Sequence, residues 1–272
     1  MVKAALAEDI GPGDATCLCT IPENLNARAV MVARQPLVAC GLELAEMVFR
    51  ELSPDLEIAW KAKDGDKLER GEALMTVSGP ARAILSGERV ALNFAQRLSG
   101  VATLTARFVA AAAHTKARIL DTRKTTPGWR ALEKYAVRCG GGVNHRFGLY
   151  DRILVKDNHL AALRGEPGGA IAAAARRARA QFPKLELEIE ADTVEQAGEA
   201  ARAGADVVLL DNMSNEQLRA AVKAVAGRAR TEASGGVTLE TVAAIAETGV
   251  DFISAGALTH SAPAVDIALD FE

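Results

Sequence analysis

The sequence predicts an α/β protein whose second half is built from repeated helix–strand steps around a parallel sheet. The stretches "ARAGADVVLLDNMSNEQL" and "AETGVDFISAGALTHSA" each contain a helix end, a glycine, an aspartate and an apolar strand run. Alanine-rich helical stretches such as "AIAAAARRARAQF" lie between most of the strands, and this alternation is typical of a parallel sheet. The predicted strands are 118–121, 152–156, 185–190, 206–210, 230–233 and 251–255.

Polar residues gather where these predicted strands end. They are Arg123, Lys124, Lys156, Asp157, Glu190, Asp211, Glu232, Ser234 and Gly256. This is the layout of a barrel whose active site lies at the carboxyl ends of its strands. The predicted strands are fewer than those of a complete barrel, so either the barrel is incomplete or the pattern misses two strands. An open doubly wound sheet is the alternative, and its ligand would also bind at the carboxyl ends of the strands.

The first part of the chain has a different pattern. Short runs of Val, Ile and Leu are broken by Asp64-Gly65-Asp66 and Gly71-Glu72, which predicts a β-rich domain with tight turns. The segment "SGERVALNFAQRLSGVATLTARFVAAAA" then becomes helical. We place the domain boundary inside it, so that residues 1–98 form the N-terminal domain and residues 99–272 the C-terminal domain.

Composition limits the function classes that remain. The chain has 272 residues, 49% of them hydrophobic, and a formal net charge of -3, which argues against general binding to nucleic acid or anionic membranes. It lacks an apolar stretch of the roughly 18 residues that a membrane span needs, and it lacks a signal-peptide pattern, so we expect a cytoplasmic protein. The four cysteines are expected to be reduced thiols. The alternative is that Cys17-x-Cys19 supplies half of a zinc site.

A local excess of cations contrasts with this acidic composition. Five of them occupy predicted turns and strand ends: Arg123, Lys124, His145, Arg146 and Lys156. Arginine offers a planar fork and lysine a compact charge, so this group predicts a site for phosphates or carboxylates. Gly141 and Gly142 are expected to let the backbone approach that ligand closely. Three other cations, Arg130, Lys134 and Arg138, have helical spacing, which favours a solvated helix face.

Acidic residues follow the same strand ends. Glu186, Glu188 and Glu190 share one face of a predicted strand, where buried acids need cations or a metal as partners. We expect Glu186 on solvated surface. Glu190, together with Asp211 at the end of the next strand, is expected in a functional site, because two carboxylates opposite cations suit Mg²⁺ or a developing positive charge.

Two glycine-containing loops complete the pattern. "EASGGVT" follows a strand and precedes a predicted helix, so the amides of Gly235 and Gly236 are expected to bind a phosphate at the positive end of that helix. "SAGALTHS" repeats this arrangement at Gly256 one unit later, although a glycine pair also marks an ordinary turn. The motifs G-x-S-x-G and H-E-x-x-H are missing, which argues against serine-hydrolase and zinc-hydrolase chemistry.

Long blocks of the sequence closely resemble the quinolinate phosphoribosyltransferase family. They begin with "EDIGPGDATC" and include "ERVALNFAQRLSGVAT", "DTRKTTPGWRALEKYAVRCGGGVNHRFGLYDRILVKDNH", "LEIEADTVEQAGEAARAGADVVLLDNM" and "EASGGV". The resemblance implies an N-terminal α/β sandwich domain, a C-terminal incomplete parallel α/β barrel (TIM-like), and a homodimer or higher oligomer with shared active sites. It also implies a reaction of quinolinate with phosphoribosyl pyrophosphate (PRPP) and Mg²⁺ that gives nicotinate mononucleotide, pyrophosphate and CO₂ in NAD biosynthesis.

The resemblance also implies roles for individual residues. Quinolinate's two carboxylates would be held by Arg123, His145, Arg146 and Lys156, with Lys124 beside them and Arg89 reaching in from the neighbouring subunit. Lys156, Glu190 and Asp211 would be catalytic, and the two acids would lie near the ribose and the metal. Phosphate would be bound by Ser234, Gly235, Gly236, Gly256 and His260. Two alternatives remain open at this point: a related transferase for nicotinate, another aromatic acid or metal-cofactor metabolism, and a catalytically silent protein that binds phosphorylated metabolites.

Overall fold

A computed structural model describes all 272 residues and divides the chain into two compact units. Unit 1 contains Met1–Ala106, Tyr135–Gly141 and Ala262–Glu272, and unit 2 contains Arg107–Lys134 and Gly142–Ser261. The predicted boundary between residues 98 and 99 falls within one continuous helix, Ala81–Ala112, and it stays a prediction. The helices of the protein are too short or too polar to cross a membrane.

The elements run along the chain as follows. The first nine are α1 (Val2–Ile10), α2 (Ala15–Thr20), β1 (Asn26–Ala33), β2 (Leu37–Val38), α3 (Leu42–Leu52), β3 (Glu57–Trp60), β4 (Lys67–Leu68), β5 (Ala73–Pro80) and α4 (Ala81–Ala112). The next seven are β6 (Arg118–Leu120), α5 (Arg130–Cys139), β7 (Ile153–Val155), α6 (Asp157–Ala162), α7 (Ala170–Gln181), β8 (Leu187–Ala191) and α8 (Val194–Arg202). The last seven are β9 (Val207–Asp211), α9 (Asn215–Val225), β10 (Arg230–Ser234), α10 (Val242–Ala246), β11 (Phe252–Ser254), α11 (Ala257–His260) and β12 (Ile267–Phe271).

Unit 1 is built on an antiparallel sheet with the strand order β12-β1-β5-β3. Met31 of β1 lies opposite Met75 of β5, and both are fully buried, as expected for a sheet that packs one face against helices. The predicted tight turns are confirmed, because Gly65 and Gly71 have φ angles of 99° and 94°, which favour glycine. The pattern did not reveal β12, the C-terminal strand that returns to pair with β1.

Unit 2 is built on a six-stranded parallel sheet with the order β6-β11-β10-β9-β8-β7. All six predicted strands are present. β6 is the first of these strands in the chain and pairs with β11, the last, which is the order of a barrel rather than of a doubly wound sheet. β7 and β6 do not pair with each other, so the predicted incomplete barrel is confirmed, with its opening between these strands.

The glycine and the aspartate of each repeated helix–strand unit have structural roles. Gly204 and Gly249 follow their helices with φ angles of 89° and 90°, as the pattern predicts. The aspartates that follow bond to the strand before them in the chain: Asp206 Oδ2 accepts the backbone N–H of Leu187 in β8, and Asp251 Oδ2 accepts that of Thr231 in β10. Each unit therefore ends one helix and aligns a neighbouring strand of the barrel.

Candidate active site

A cavity of unit 2 lies at the carboxyl ends of the parallel strands and has a volume of about 710 Å³. Its walls contain the predicted residues Arg123, Lys124, His145, Arg146, Lys156, Glu190, Asp211, Ser234, Gly235, Gly236, Gly256 and His260. The fold thus brings together predicted site residues that are up to 137 positions apart in sequence, from Arg123 to His260. Arg89 is the exception, because it lies on an exposed position of α4 and does not line this cavity.

Several cations in the cavity wall lack acidic partners. Arg123 and Lys124 make hydrogen bonds through backbone atoms, whereas their charged groups have no protein acceptor. Arg146 is buried, and its Nη1 reaches only the carbonyl oxygen of Arg152, at 3.4 Å. Burial lowers the pKa of Arg146, and the positive charge of Arg123 lowers it further. This wall therefore favours an anionic ligand with more than one charge.

His145 belongs to a buried network beneath the cations. Its Nδ1 accepts the backbone N–H of Arg146 at 2.7 Å, so the ring proton lies on Nε2. Nε2 lies 2.9 Å from Glu188 Oε2 and 3.6 Å from Glu232 Oε2. The structure therefore places His145 in the cavity wall, as predicted, but engages both of its ring nitrogens with protein atoms.

The two acids of this network have no exposed surface. Burial opposes ionisation of Glu188, but the hydrogen bond and charge of His145 and the charge of Arg152 together lower its pKa. Burial and the negative charge of Glu188 raise the pKa of Glu232 well above its usual value. The raised pKa favours the neutral form of Glu232, and neither of its carboxyl oxygens has a hydrogen-bond partner. Glu186, which we expected on solvated surface, is partly exposed and pairs with Arg152 and Arg230.

A second group of acids includes two residues of the cavity wall, Glu190 and Asp211. Carboxylate oxygens of Glu190, Asp192 and Asp211 lie within 4.8 Å of one another at the ends of β8 and β9. Burial raises the pKa of Glu190, whereas Lys156, whose Nζ lies 3.6 Å from Glu190 Oε2, opposes this shift. A cluster of oxygen ligands is the donor set that Mg²⁺ prefers, so these three residues fit the predicted metal.

The glycine loops differ in one respect from the prediction. Gly235 has a φ of 96°, and a Cβ at this position would lie 2.1 Å from Asn212 Oδ1, so a side chain cannot fit. A helix follows this loop, as predicted, but α10 begins only at Val242. A loop ending in a turn at Thr238–Thr241 intervenes, and phosphate binding there would rest on loop amides and not on a helix dipole.

Lys134 corrects the prediction of a solvated helix face. It is 1% exposed, and its Nζ donates to Asp121 Oδ1 and, at 3.0 Å, to the carbonyl oxygen of His145. Asp121 Oδ1 also accepts the backbone N–H of His145 at 2.8 Å. Burial lowers the pKa of Lys134, and the Asp121 carboxylate opposes that shift. The pair therefore fixes the backbone of a cavity residue, while Arg138 is exposed as predicted and Arg130 is partly exposed.

The glycines of "GGVNHR" do not line the cavity, in contrast to their expected role. Gly141 forms a turn with a φ of 85°, and Val143 then forms a parallel bridge with Leu120 at the open edge of the barrel. Gly140, just before them, is also required, since a Cβ there would lie 2.3 Å from the carbonyl oxygen of Ala102. The glycine run therefore positions His145 and Arg146 through close backbone packing.

Comparison with known proteins agrees with this arrangement over nearly the whole chain. Residues 14–99 match the family model described as quinolinate phosphoribosyl transferase, N-terminal domain, and residues 101–270 match that of the C-terminal domain. The chain belongs to the quinolinate phosphoribosyltransferase family.

Individual members of the quinolinate phosphoribosyltransferase family are similar over most of their length. The chain is 46% identical over 264 residues to the probable nicotinate-nucleotide pyrophosphorylase (carboxylating) of Bacillus subtilis (strain 168), which covers 97% of this chain and 89% of that protein. It is 42% identical to the chloroplastic nicotinate-nucleotide pyrophosphorylase (carboxylating) of Arabidopsis thaliana, covering 100% of this chain and 82% of that protein. The structure of the nicotinate-nucleotide pyrophosphorylase from Francisella tularensis superposes with a TM-score of 0.93 at 39% identity and covers 100% of this chain and 94% of that one.

Three acids that contact or adjoin predicted site residues were not part of the predicted site. Asp192 was detectable, since it follows Glu190 by two positions and so continues the face of acids along β8. Glu188 was noted only as a member of that face, and its contact with His145 depends on the pairing of distant segments. Glu232 was noted at a strand end, but its neutral state follows only from burial against Glu188.

Proposed function

We propose that this chain, as a member of the quinolinate phosphoribosyltransferase family, transfers the phosphoribosyl group of PRPP to quinolinate with loss of CO₂. The products are nicotinate mononucleotide, pyrophosphate and CO₂, in a step of NAD biosynthesis. One observation supports the proposal at the level of the site: cations without acidic partners line the same cavity as the carboxylates of Glu190 and Asp211, at the carboxyl end of the barrel. The cations suit a dicarboxylate and a phosphorylated sugar, and the carboxylates suit a positive charge that develops during the reaction.

Quinolinate is assigned to the cationic wall. Arg123, Arg146 and Lys156 would hold its two carboxylates, with His145 in the same wall and Lys124 beside it. Support comes from the absence of protein acceptors around Arg123 and Lys124, which leaves their full charge for a ligand. The buried position of Arg146 strengthens its attraction for a carboxylate, because little water screens the charge.

The phosphates of PRPP are assigned to the glycine loops. Ser234, Gly235, Gly236, Gly256 and His260 line the cavity next to Lys124 and offer backbone amides and a side-chain donor. Glu190, Asp192 and Asp211 would hold Mg²⁺, which would neutralise the charge that builds up on departing pyrophosphate.

The reaction follows from these positions. The ring nitrogen of quinolinate displaces pyrophosphate at the anomeric carbon, where an oxocarbenium-like positive charge develops. Glu190 and Asp211 stabilise that charge electrostatically, and Lys156 orients Glu190 from 3.6 Å. Decarboxylation then breaks the bond to the carboxylate and leaves its electron pair on the carbon beside the quaternised nitrogen, which stabilises it until this carbon takes up a proton from water.

Oligomerisation and location belong to the same proposal. Arg89 is exposed on α4 and outside the cavity of its own chain, which fits a role in the active site of a neighbouring subunit in a homodimer or larger oligomer. The four free cysteines fit a reducing compartment, and we keep the cytoplasmic location on that ground.

A direct assay tests the proposed function. Purified protein is incubated with quinolinate and Mg²⁺, with and without PRPP, and pyrophosphate and CO₂ are measured separately. We expect both products in equal amounts and only when PRPP is present. Activity on nicotinate without CO₂ release would assign the chain to a different transferase, and binding without either product would make it a binding protein.

Variants of the acids test the assigned chemistry. Glu190→Gln and Asp211→Asn should lower turnover more than they weaken quinolinate binding, because both acids face charge that develops in the transition state. Glu195→Gln, an exposed acid on α8 close in sequence, is the matched control and should leave both quantities unchanged. A large loss of quinolinate affinity at unchanged turnover would contradict the assignment.

A further inference from the structure

A pair of cysteines lies outside the cavity and has no part in the chemistry above. The sulfur atoms of Cys40 and Cys139 and a carboxylate oxygen of Asp64 lie within 4.8 Å of one another in unit 1. Cys40 follows β2 and is fully buried, and its backbone N–H and carbonyl both bond to Ser99 Oγ. Cys139 is the last residue of α5 and is partly exposed.

The two thiols have different environments. The contacts with Cys40 and Tyr135 and the charge of Arg138 lower the pKa of Cys139, although burial and the charge of Asp64 oppose this shift. The same contact with Cys139, together with burial, raises the pKa of Cys40. A partly exposed sulfur with thiolate character thus lies beside a buried thiol, which is the arrangement of a peroxide-sensitive cysteine with its resolving partner.

Asp64, the third member of the cluster, already accepts hydrogen bonds from other groups. Asp64 Oδ2 accepts the N–H of Gly41 at 3.0 Å and the hydroxyl of Tyr135 at 3.0 Å, and Oδ1 accepts the N–H of Leu42 at 3.2 Å. Asp64 therefore caps α3 and orients Tyr135 toward the thiols. This leaves two sulfur atoms as the available groups, which favours a bond between them over a metal site with three protein ligands.

We propose that Cys40 and Cys139 form a reversible disulfide when a peroxide oxidises the protein, and that this bond lowers catalytic activity. In the first step the Cys139 thiolate attacks a peroxide oxygen, an S–O bond forms, the O–O bond breaks, and the departing hydroxide takes up a proton as water. In the second step the Cys40 sulfur attacks Cys139, the S–S bond forms, the S–O bond breaks, and the departing hydroxide leaves as water with the proton of Cys40. Two thiols are oxidised and one hydrogen peroxide is reduced to two waters.

The consequence for activity follows from the position of Cys139 on α5. A disulfide requires a sulfur separation of about 2 Å, and in this proposal the end of α5 moves toward Cys40 to reach it. Lys134 lies one and a half turns earlier on the same helix, and its Nζ holds the carbonyl oxygen of His145 at 3.0 Å. A shift of α5 therefore displaces the backbone that presents His145 and Arg146 to the cavity.

The experiment treats the full-length protein with increasing hydrogen peroxide and follows two quantities. Peptide mass spectrometry without reduction measures the bond between the peptides of Cys40 and Cys139, and pyrophosphate release measures activity. We expect the crosslink and a loss of activity of about two- to thirty-fold to appear together, as for coupling between distant sites, and dithiothreitol to reverse both. The crosslink is read independently of any catalytic assay, so failure of the proposed function would leave that measurement intact.

Three variants distinguish the two cysteines. In Cys40→Ala, dimedone should trap a sulfenic acid on Cys139, whereas in Cys139→Ala it should not label Cys40. Cys19→Ser removes an exposed thiol elsewhere and should behave as wild type. Oxidation of Cys19 without a Cys40–Cys139 crosslink would overturn the proposed bond, and a complete crosslink at unchanged activity would overturn its effect on the site.

Discussion

At the level of single residues, the cations of the cavity differ in what they already bind. Lys156 lies 3.6 Å from Glu190, whereas the charged groups of Arg123 and Lys124 have no protein acceptor. Placing like charges together without partners costs free energy, and a ligand with two carboxylates recovers that cost when it binds. Selectivity for such a ligand therefore depends on the unpaired cations more than on the paired one.

Removal of Arg123 should narrow the preference for quinolinate over nicotinate. Arg123→Ala is expected to weaken quinolinate binding by about 30-fold or more, and nicotinate binding much less, because nicotinate has only one carboxylate. Calorimetric titration of both ligands checks this ratio. Arg138→Ala, which removes an exposed cation of α5 outside the cavity, is the control. Equal losses for both ligands would mean that Arg123 does not bind the second carboxylate.

The neutral acid Glu232 should make stability depend on pH. In the unfolded chain its carboxyl ionises near pH ~4.3, but in the folded protein its pKa is raised well above the usual value. Its contribution to stability is therefore complete at low pH and is lost as the pH rises toward the folded value. Glu188 has a lowered folded pKa, so its effect lies below about pH 4.

Glu232→Gln removes this ionisation and keeps the shape of the side chain. Thermal unfolding from pH 5 to pH 8 should show the variant gaining about 1 kcal/mol or more relative to wild type as the pH increases. Glu8→Gln, at an exposed position of α1, should follow wild type at every pH. A difference between Glu232→Gln and wild type that stays constant across this range would mean that Glu232 is ionised in the folded protein.

At the level of elements, the loops that follow the strands contribute most of the site residues, and the strands determine where these loops lie. The loop after β10 approaches the one after β9 so closely that Asn212 donates its backbone N–H to the carbonyl oxygen of Ser234 at 2.9 Å. Gly235 makes this approach possible, whereas Gly236 faces open space. Two adjacent glycines therefore allow the effect of close packing to be separated from that of backbone conformation.

Alanine at these two positions should have unequal effects. Gly236 has a φ of 60°, and a Cβ added there would have no atom within 4 Å. We therefore expect Gly236→Ala to lose about 1 kcal/mol of stability from the left-handed backbone alone. Gly235→Ala adds a clash with Asn212, and it should cost more stability and raise the KM for PRPP. Denaturant unfolding and initial rates measure the two effects. Equal losses in both variants would show that the loop after β10 can move away from Asn212.

At the level of the whole molecule, a net charge of -3 coexists with a strongly cationic site. The fold achieves this by collecting cations from several strand ends into one cavity while acids cover other surfaces. The proposed oligomer would extend the same principle, because Arg89 would add a cation from a second chain.

Mixing two inactive variants should restore activity if Arg89 acts across subunits. Arg89→Ala and Lys156→Ala chains, each inactive alone, should give partial recovery after subunit exchange, since some mixed dimers contain one site with both residues intact. Recovery is bounded at about a quarter of wild-type activity for random pairing of equal amounts, because half of the dimers are mixed and each has one intact site. Absence of recovery, with exchange proven by mass spectrometry of tagged chains, would place Arg89 outside the neighbouring site.

The sequence by itself determined the parallel sheet, the six barrel strands and most of the cavity residues. These features depend on local periodicity and on the rule that parallel strands end at one edge, so neighbouring residues along the chain are enough to predict them. The resemblance added the family, which the comparisons confirm, and the reaction, which is a proposal.

Only the tertiary structure decided the features that depend on contacts between residues far apart in sequence. Lys134 has the spacing of a solvated face, yet burial against Asp121 makes it an anchor for His145. β12 pairs with β1 across most of the chain, and Glu232 becomes neutral because Glu188 approaches it inside the barrel. The physical reason is the same in each case. Burial and charge depend on which residues the fold brings together, and the periodicity of the sequence does not show which distant residues will meet.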